Sequence, residues 1–188
     1  MGLVAQAMID AVAFREKLGS PVLLKLLDYW QTVRGGRLMP TWSDIKPEEI
    51  AIVLPHIWAW RITDQDVAQL RLVGESIYQA MSRDLRGKTP EDLYPAEAGA
   101  EIRARLLKVA RLPTCSHTVG DVFHGPTRIA TGERLALPYS DGRGGLGVIG
   151  VSKLEPIQDP ETGRPMQINP KAFFTLVGEE AFLRLAGD

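Results

Sequence analysis

The sequence is poor in the features that would place the chain outside the cytoplasm. It has a single cysteine, Cys115, which excludes an internal disulfide and any cysteine-cluster metal site. It has no apolar run near the roughly 20 residues that a membrane-spanning helix needs. Its first ten residues, MGLVAQAMID, have neither the basic segment nor the clean apolar core of a signal peptide. We therefore expect a cytoplasmic protein that does not contact a membrane.

The sequence also has no excess of charge of either sign. Its 22 lysines and arginines nearly balance its 23 aspartates and glutamates, for a net charge of −1. A nucleic-acid-binding domain is usually strongly basic, so this balance argues against nucleic acid as a partner. Hydrophobic residues make up 45% and charged residues 24% of the 188 positions, which is ordinary for a folded globular chain. That length suits one domain with a possible appendage.

Hydrophobic periodicity predicts two helices at the start of the chain. Apolar residues at helical spacing, among them Val4, Met8 and Val12, predict an amphipathic helix over residues 3–18. Ser20 followed by Pro21 is typical of a helix N-terminus and predicts a second helix that ends near Gly35.

Strand patterns follow in two groups, separated by helical segments. Residues 57–62 and 69–73 predict an antiparallel hairpin with Trp58 and Trp60 on one face. Short helices are predicted over 74–83 and after Thr89, and a longer helix over 96–112. Three further strands are predicted over 115–124, 127–139 and 146–154, and a C-terminal helix over 170–186.

This order predicts an α+β fold in which a five-stranded antiparallel sheet is covered on one face by a helical crossover. The crossover leaves a natural cavity between itself and the sheet. We expect three parts in the chain: a helical extension over 1–22, the sheet domain over 23–156, and a loop with a C-terminal helix over 157–188.

The order of elements and several short motifs resemble a PAS-like bacterial family, widespread in alphaproteobacteria and once listed as a domain of unknown function. The resemblance covers residues 24–154, most of the chain. The motifs that carry it are LDYW from Leu27, RGGRLMP from Arg34, DIKP from Asp44, LPHI from Leu54, LRLVG from Leu70, RDLRGKT from Arg83 and LALPYSD from Leu135.

The resemblance implies a sensory or interaction module. Many PAS domains bind a small molecule between sheet and helices, and many form dimers through flanking helices. The family shares no cofactor signature that could be carried over, so the cofactor is left unassigned. The sequence lacks the cysteine motif of flavin-binding, light-sensing PAS domains, because Cys115 lies at the start of a strand and outside the crossover.

Positions on the predicted elements suggest which side chains line the cavity. Two candidates lie on the first crossover helix and one on the long helix, and four lie on the predicted strands. The candidates are Tyr78, Met81, Leu106, His117, Val119, Leu137 and Tyr139.

The first strand suggests a dimer surface. A sheet with one open face that carries aromatic side chains needs a cover. The N-terminal helix, from this chain or from a second copy, is the obvious cover, and these two alternatives stay open. The candidate interface residues are Val4, Met8, Val12, Trp58 and Trp60.

Two other patterns are weaker. The string from Gly142 to Gly147 fits G-x-G-x-x-G, but a strand follows it where a dinucleotide site needs a helix, which favours a hairpin turn. His117 and His124 are seven residues apart on one strand, so they point to opposite faces and cannot share a metal in a regular strand. No metal site is therefore predicted.

The sequence thus favours a stand-alone sensor that binds a small molecule and signals to another protein, such as a two-component signalling protein. We expect a homodimer. The alternative is an interaction module with a filled core and no ligand. No catalytic motif, such as G-x-S-x-G or a phosphate-binding loop, is present, so we do not expect an enzyme.

Overall fold

The computed structural model describes residues 7–8, 10–81, 85–124, 127–158 and 174–185. Within these ranges seven strands form one sheet, in the order β1-β7-β4-β5-β6-β2-β3. All neighbouring strands are antiparallel except β1 and β7, which are parallel. The strands are β1 (Ala7–Met8), β2 (Ile57–Ile62), β3 (Ala68–Val73), β4 (Thr114–His124), β5 (Thr127–Ser140), β6 (Leu146–Pro156) and β7 (Phe174–Arg184).

Helices lie on both faces of this sheet. Short 3₁₀ turns at Trp42–Asp44, Pro47–Ile50 and Leu54–His56 connect the second helix to β2. Among the described residues no helix is both long and apolar enough to cross a membrane. The helices are α1 (Ala11–Glu16), α2 (Pro21–Arg34), α3 (Glu75–Met81), α4 (Pro90–Leu93) and α5 (Ala96–Arg111).

The α+β class and the central order of elements are confirmed. The predicted second helix, the hairpin, the crossover helices and the three following strands all form near their predicted bounds. Thr89 caps α4 as predicted, because its hydroxyl accepts from the Asp92 amide at 3.2 Å while the Asp92 carboxylate accepts from the Thr89 amide at 2.8 Å. The sheet is larger than the predicted five strands.

The predicted C-terminal helix over 170–186 is wrong, because its described part is strand β7. β7 pairs with β4 along its whole length, from Thr114 opposite Arg184 to His124 opposite Phe174. Its sequence, FTLVGEEAFLR, contains strand-forming residues and a glycine that would weaken a helix. The open edge of β4 supplies the partner that the strand needs, so the segment predicted as an appendage extends the same sheet.

The predicted helix over 3–18 is also wrong at residues 7–8. Ala7 and Met8 form β1 beside Ala181 and Phe182 of β7. The helix begins only at Ala11, where the carboxylate of Asp10 accepts a hydrogen bond of 2.8 Å from the Ala13 amide and caps the first turn.

The N-terminal helices cover one face of their own sheet. Phe14 and Leu18, near α1, and Leu27 and Trp30 of α2 are buried in one cluster with strand residues. The strand side of that cluster is made by Ile57, Ala59, Cys115, Leu135, Leu137, Tyr139, Ile149, Val151 and Leu183.

Glu133 of β5 fixes the junction between α1 and α2 to the sheet. Its two carboxylate oxygens accept hydrogen bonds of 2.8 Å from the amides of Gly19 and Ser20. Ser20 occupies the predicted N-cap position of α2, but its own side chain makes no capping bond. The carboxylate from the strand therefore satisfies amides at the start of α2, where negative charge also suits the helix dipole.

The opposite face packs against α4 and α5. Trp58, Trp60 and Leu70 from the sheet are buried with Leu93 of α4 and Leu106 of α5. Both faces of the sheet are therefore covered within one chain, and the expected open face that carries the two tryptophans does not exist.

Two glycines of β6 make room for large rings on the two faces. A methyl group at Gly150 would overlap the Trp58 ring and the Leu135 carbonyl oxygen, and one at Gly147 would overlap the Tyr139 ring and the Trp60 carbonyl oxygen. The Tyr139 hydroxyl crosses Gly147 to donate a 3.1 Å hydrogen bond to the Trp60 carbonyl. Strand β6 can lie between β5 and β2 because these two positions have no side chain to overlap the rings.

We predict that Gly150→Ala destabilises the fold by about 1–3 kcal/mol or more, because the added methyl group forces Trp58 or the β5 backbone to move. Chemical unfolding monitored by circular dichroism measures the effect. Gly19→Ala is the matched control, since a methyl group there meets its nearest neighbour, Glu133 Oε2, at an ordinary 3.7 Å. Equal stability of the two variants would contradict the close approach at β6.

Candidate ligand-binding cavity

A cavity of about 330 Å³ lies between the sheet and the crossover helices. This volume is at the lower end of the roughly 300–1,000 Å³ typical of small-molecule sites. The sheet contributes residues of β2, β3, β4, β5, β6 and β7, and the helices contribute α3, the end of α4, and α5.

Most of the cavity wall is apolar. Trp58 and Trp60 supply aromatic surface from β2, and Leu106 supplies aliphatic surface from α5. The other apolar lining residues are Leu70, Val73, Ile77, Leu85, Leu93, Ile102, Val109, Val122, Ala136 and Leu154.

Polar side chains form two bonded groups in the cavity wall. The Ser152 hydroxyl oxygen accepts two hydrogen bonds, from Trp58 Nε1 at 3.0 Å and from Arg134 Nε at 3.1 Å. The Ser116 hydroxyl donates to Glu180 Oε1 at 3.2 Å, and Arg105 Nε lies 3.9 Å from Glu180 Oε2. The polar patch is defined as Arg105, Ser116, Arg134, Ser152 and Glu180, with Thr118 opposite Arg134 in the register.

Burial lowers the pKa of two basic side chains in the cavity wall, Arg134 and His56. It lowers the pKa of the Arg134 guanidinium, an effect that the like charge of Arg105 reinforces and that Tyr94 and Glu180 oppose. An arginine remains cationic at neutral pH even so. Burial also lowers the pKa of His56, with Lys153 adding to the shift, so this lining imidazole is mainly neutral at neutral pH.

Of the six predicted pocket residues whose side chains are described, Leu106 lines the cavity and the other five do not. Leu137 and Tyr139 are buried on the other face of the sheet, under α2. His117 is on that face too, where Nε2 lies 2.9 Å from Glu133 Oε1 and the ring meets Phe14 edge-on at 6.3 Å. Successive side chains of a strand point to opposite faces of the sheet. Choosing the wrong face for β4 and β5 therefore misplaces every candidate on those two strands.

The remaining candidates also do not line the cavity, or their side chains lie outside the described residues. Tyr78, on α3, does not line the cavity and has 46% of its surface exposed. Val119 shares the face of His117 and is 43% exposed. The side chain of Met81 lies outside the described residues.

Sequence reasoning missed the whole polar patch. The signal was present in β5 and β6: Arg134 is next to buried Leu135, Ser152 is next to buried Val151, and the two polar residues are opposite each other in the register. A polar residue within a buried strand needs a partner, which could have identified this as the functional face.

The structure places the predicted dimer residues in different environments. Trp58 and Trp60 are 8% and 7% exposed and line the cavity, so their assignment to an interface is wrong. Val12 projects from α1 with 68% of its surface exposed, Met8 lies in β1, and Val4 lies outside the described residues.

The glycine-rich string forms a hairpin turn, as predicted. Gly142 and Gly144 have φ values of 78° and 98° between β5 and β6, which favour glycine. Gly147 lies inside β6, so no helix follows the string.

No group of three or more histidine, cysteine, aspartate or glutamate side chains in the described part of the chain is placed to hold a metal ion. The side chain of His124 is outside that part, so the predicted opposition of His117 and His124 is not addressed.

Comparison with known proteins gives a family. A family model described as a PAS domain matches residues 18–151, most of the chain. Searches of curated proteins and of solved structures found no match.

We predict that Ser152→Ala destabilises the protein by about 1–3 kcal/mol, because it leaves the Trp58 and Arg134 donors unpaired at one site. Thermal unfolding with far-ultraviolet circular dichroism measures the change. Ser76→Ala, at another cavity-lining serine, is the control, since no hydrogen bond of the Ser76 side chain occurs within the described residues. Equal melting temperatures for both variants would show that Ser152 does not hold the polar patch together.

We also predict that Cys115 resists alkylation in the folded protein. Burial raises the pKa of its thiol to about 12, so almost no thiolate is present near pH 8. Iodoacetamide should leave the native mass unchanged and add one group after unfolding. Rapid labelling of the native protein would mean that the covered face between α2 and β4 opens readily.

Proposed function

The chain belongs to the PAS domain family, whose members are sensory or interaction modules, and we propose that it binds a small molecule in the cavity and signals to a partner protein. The observation that carries the proposal is the cavity of about 330 Å³, with mostly apolar walls and the polar patch. Small-molecule sites commonly combine these two features.

Adjacent residues on two strands support coupling between the cavity and the N-terminal helices. On β5, Arg134 lines the cavity while its neighbour Glu133 holds the amides of Gly19 and Ser20 on the other face. On β4, Ser116 lines the cavity while His117 contacts Glu133. A ligand that favours one arrangement of these strands would therefore shift the helices that cover the opposite face.

The partner, as in the sequence-based prediction, would be reached in trans, and a two-component signalling protein is one candidate. The homodimer, the cytoplasmic location and the absence of enzymatic activity also stay predictions. So do the wide occurrence of the family in alphaproteobacteria and the division of the chain into 1–22, 23–156 and 157–188. The alternative function is a ligand-free interaction module with a filled core.

Native and denaturing mass spectrometry of the freshly purified full chain tests the proposal. We expect an excess mass in the native spectrum that disappears on denaturation, together with the mass of a dimer. Leu106→Trp should remove the excess mass, because the larger ring fills cavity space from α5.

Val119→Trp is the matched control, since it introduces the same ring at an exposed position on the other face. It should retain the excess mass. A native spectrum without excess mass, combined with no binding in direct titrations of small molecules, would favour the ligand-free alternative. A purely monomeric mass would contradict the homodimer.

A further inference from the structure

The charged side chains that line the cavity differ in how well they are neutralised. Within the described part of the chain, the carboxylate of Glu180 has two partners, the Ser116 hydroxyl and the guanidinium of Arg105. The hydrogen bond of Arg134 goes to the Ser152 hydroxyl, which carries no charge. Two guanidinium groups therefore face one carboxylate. Arg105 forms an ion pair with it at 3.9 Å, whereas Arg134 forms no ion pair with any described residue.

A buried cation without an anionic partner is unfavourable, and it is strongly stabilised by a ligand that supplies the missing charge. The planar guanidinium suits a carboxylate in particular, because its donors match the two oxygens. Ser152 accepts from Nε and so fixes the orientation of the group at 3.1 Å. The donors on the terminal nitrogens make no hydrogen bond to any described residue, so they are available to a ligand.

The other residues of the cavity wall limit the chemical group that the ligand can carry beside its carboxylate. The surfaces of Trp60, Ile102 and Leu106 are apolar, and the volume admits only a small molecule. A charged or strongly polar body would lose its hydration there without compensation.

We infer that the cavity binds a small amphipathic carboxylate, with the carboxylate against Arg134 and the apolar body against the walls from β2 and α5. This inference rests on the proposed function, because it names the class of ligand for the same cavity.

Isothermal titration of the full-length protein with octanoate, octanol and octylamine tests it, because these ligands share one apolar body and differ in the charge of the head group. We expect octanoate to bind at least about tenfold more tightly than octanol, as for a hydrogen bond to a charged group. Octylamine should bind weakest, because its cation would face the unneutralised guanidinium.

Arg134→Met locates the head group. It keeps the apolar stem and removes the charge, so octanoate should fall to the affinity of octanol while octanol is unchanged. Arg143→Met, at an exposed arginine in the β5–β6 turn, is the control and should leave all three affinities unchanged. Circular dichroism verifies folding. If Arg134→Met does not fold, Arg134→Lys takes its place, with octanoate weakened by the loss of the planar fork and still preferred over octanol.

The outcomes separate this inference from the proposed function. Equal or tighter binding of octanol or octylamine would overturn the carboxylate inference and leave a ligand-binding cavity standing. Loss of octanoate binding in Arg105→Met but not in Arg134→Met would overturn the assigned position. No binding of any of the three would overturn the inference, and a native spectrum without excess mass would then remove the proposed function too.

Discussion

The central constraint on this fold is that strand β6 must accept a large ring on each of its faces. Gly150 lies beneath Trp58 on the cavity side, and Gly147 lies beneath Tyr139 on the side of α2. Because Gly150 has no side chain, the indole of Trp58 can reach across β6 to Ser152, and Ser152 in turn receives Arg134 from β5. The polar patch of the cavity therefore depends on an absence of side-chain atoms in the middle of the sheet.

Local signals in the sequence were sufficient for the core of the fold. Proline and serine at the start of α2, threonine at the start of α4, and the strand-forming run with Trp58 and Trp60 all predict the elements that form. The segments at the two ends were mispredicted, because β1 and β7 are strands only by virtue of the partner beside them. Backbone pairing across the sheet is a tertiary interaction, and the period of hydrophobic residues in a short segment does not contain it.

The candidate site shows a different limit of sequence reasoning. Identifying β4 and β5 as strands was correct, but the positions chosen on them, Leu137 and Tyr139 among them, lie on the face that belongs to the core under α2. Polar residues occur on both faces, since His117 and Glu133 lie on the face under α2. The cavity face is the one on which Arg134 and Ser152 line open space. Arg134 and Ser152 identify that face. A family resemblance alone does not show towards which face of the sheet their side chains point.

The carboxylate of Glu133 binds the amides of Ser20 and Gly19, which precede Glu133 by 113 and 114 positions in the chain. The hydrogen bonds that build α2 are local, but the partner of the amides at its start is a residue far along the chain. An isolated α1–α2 segment would leave these amides without the Glu133 carboxylate, so the N-terminus of α2 is complete only when β5 is in place.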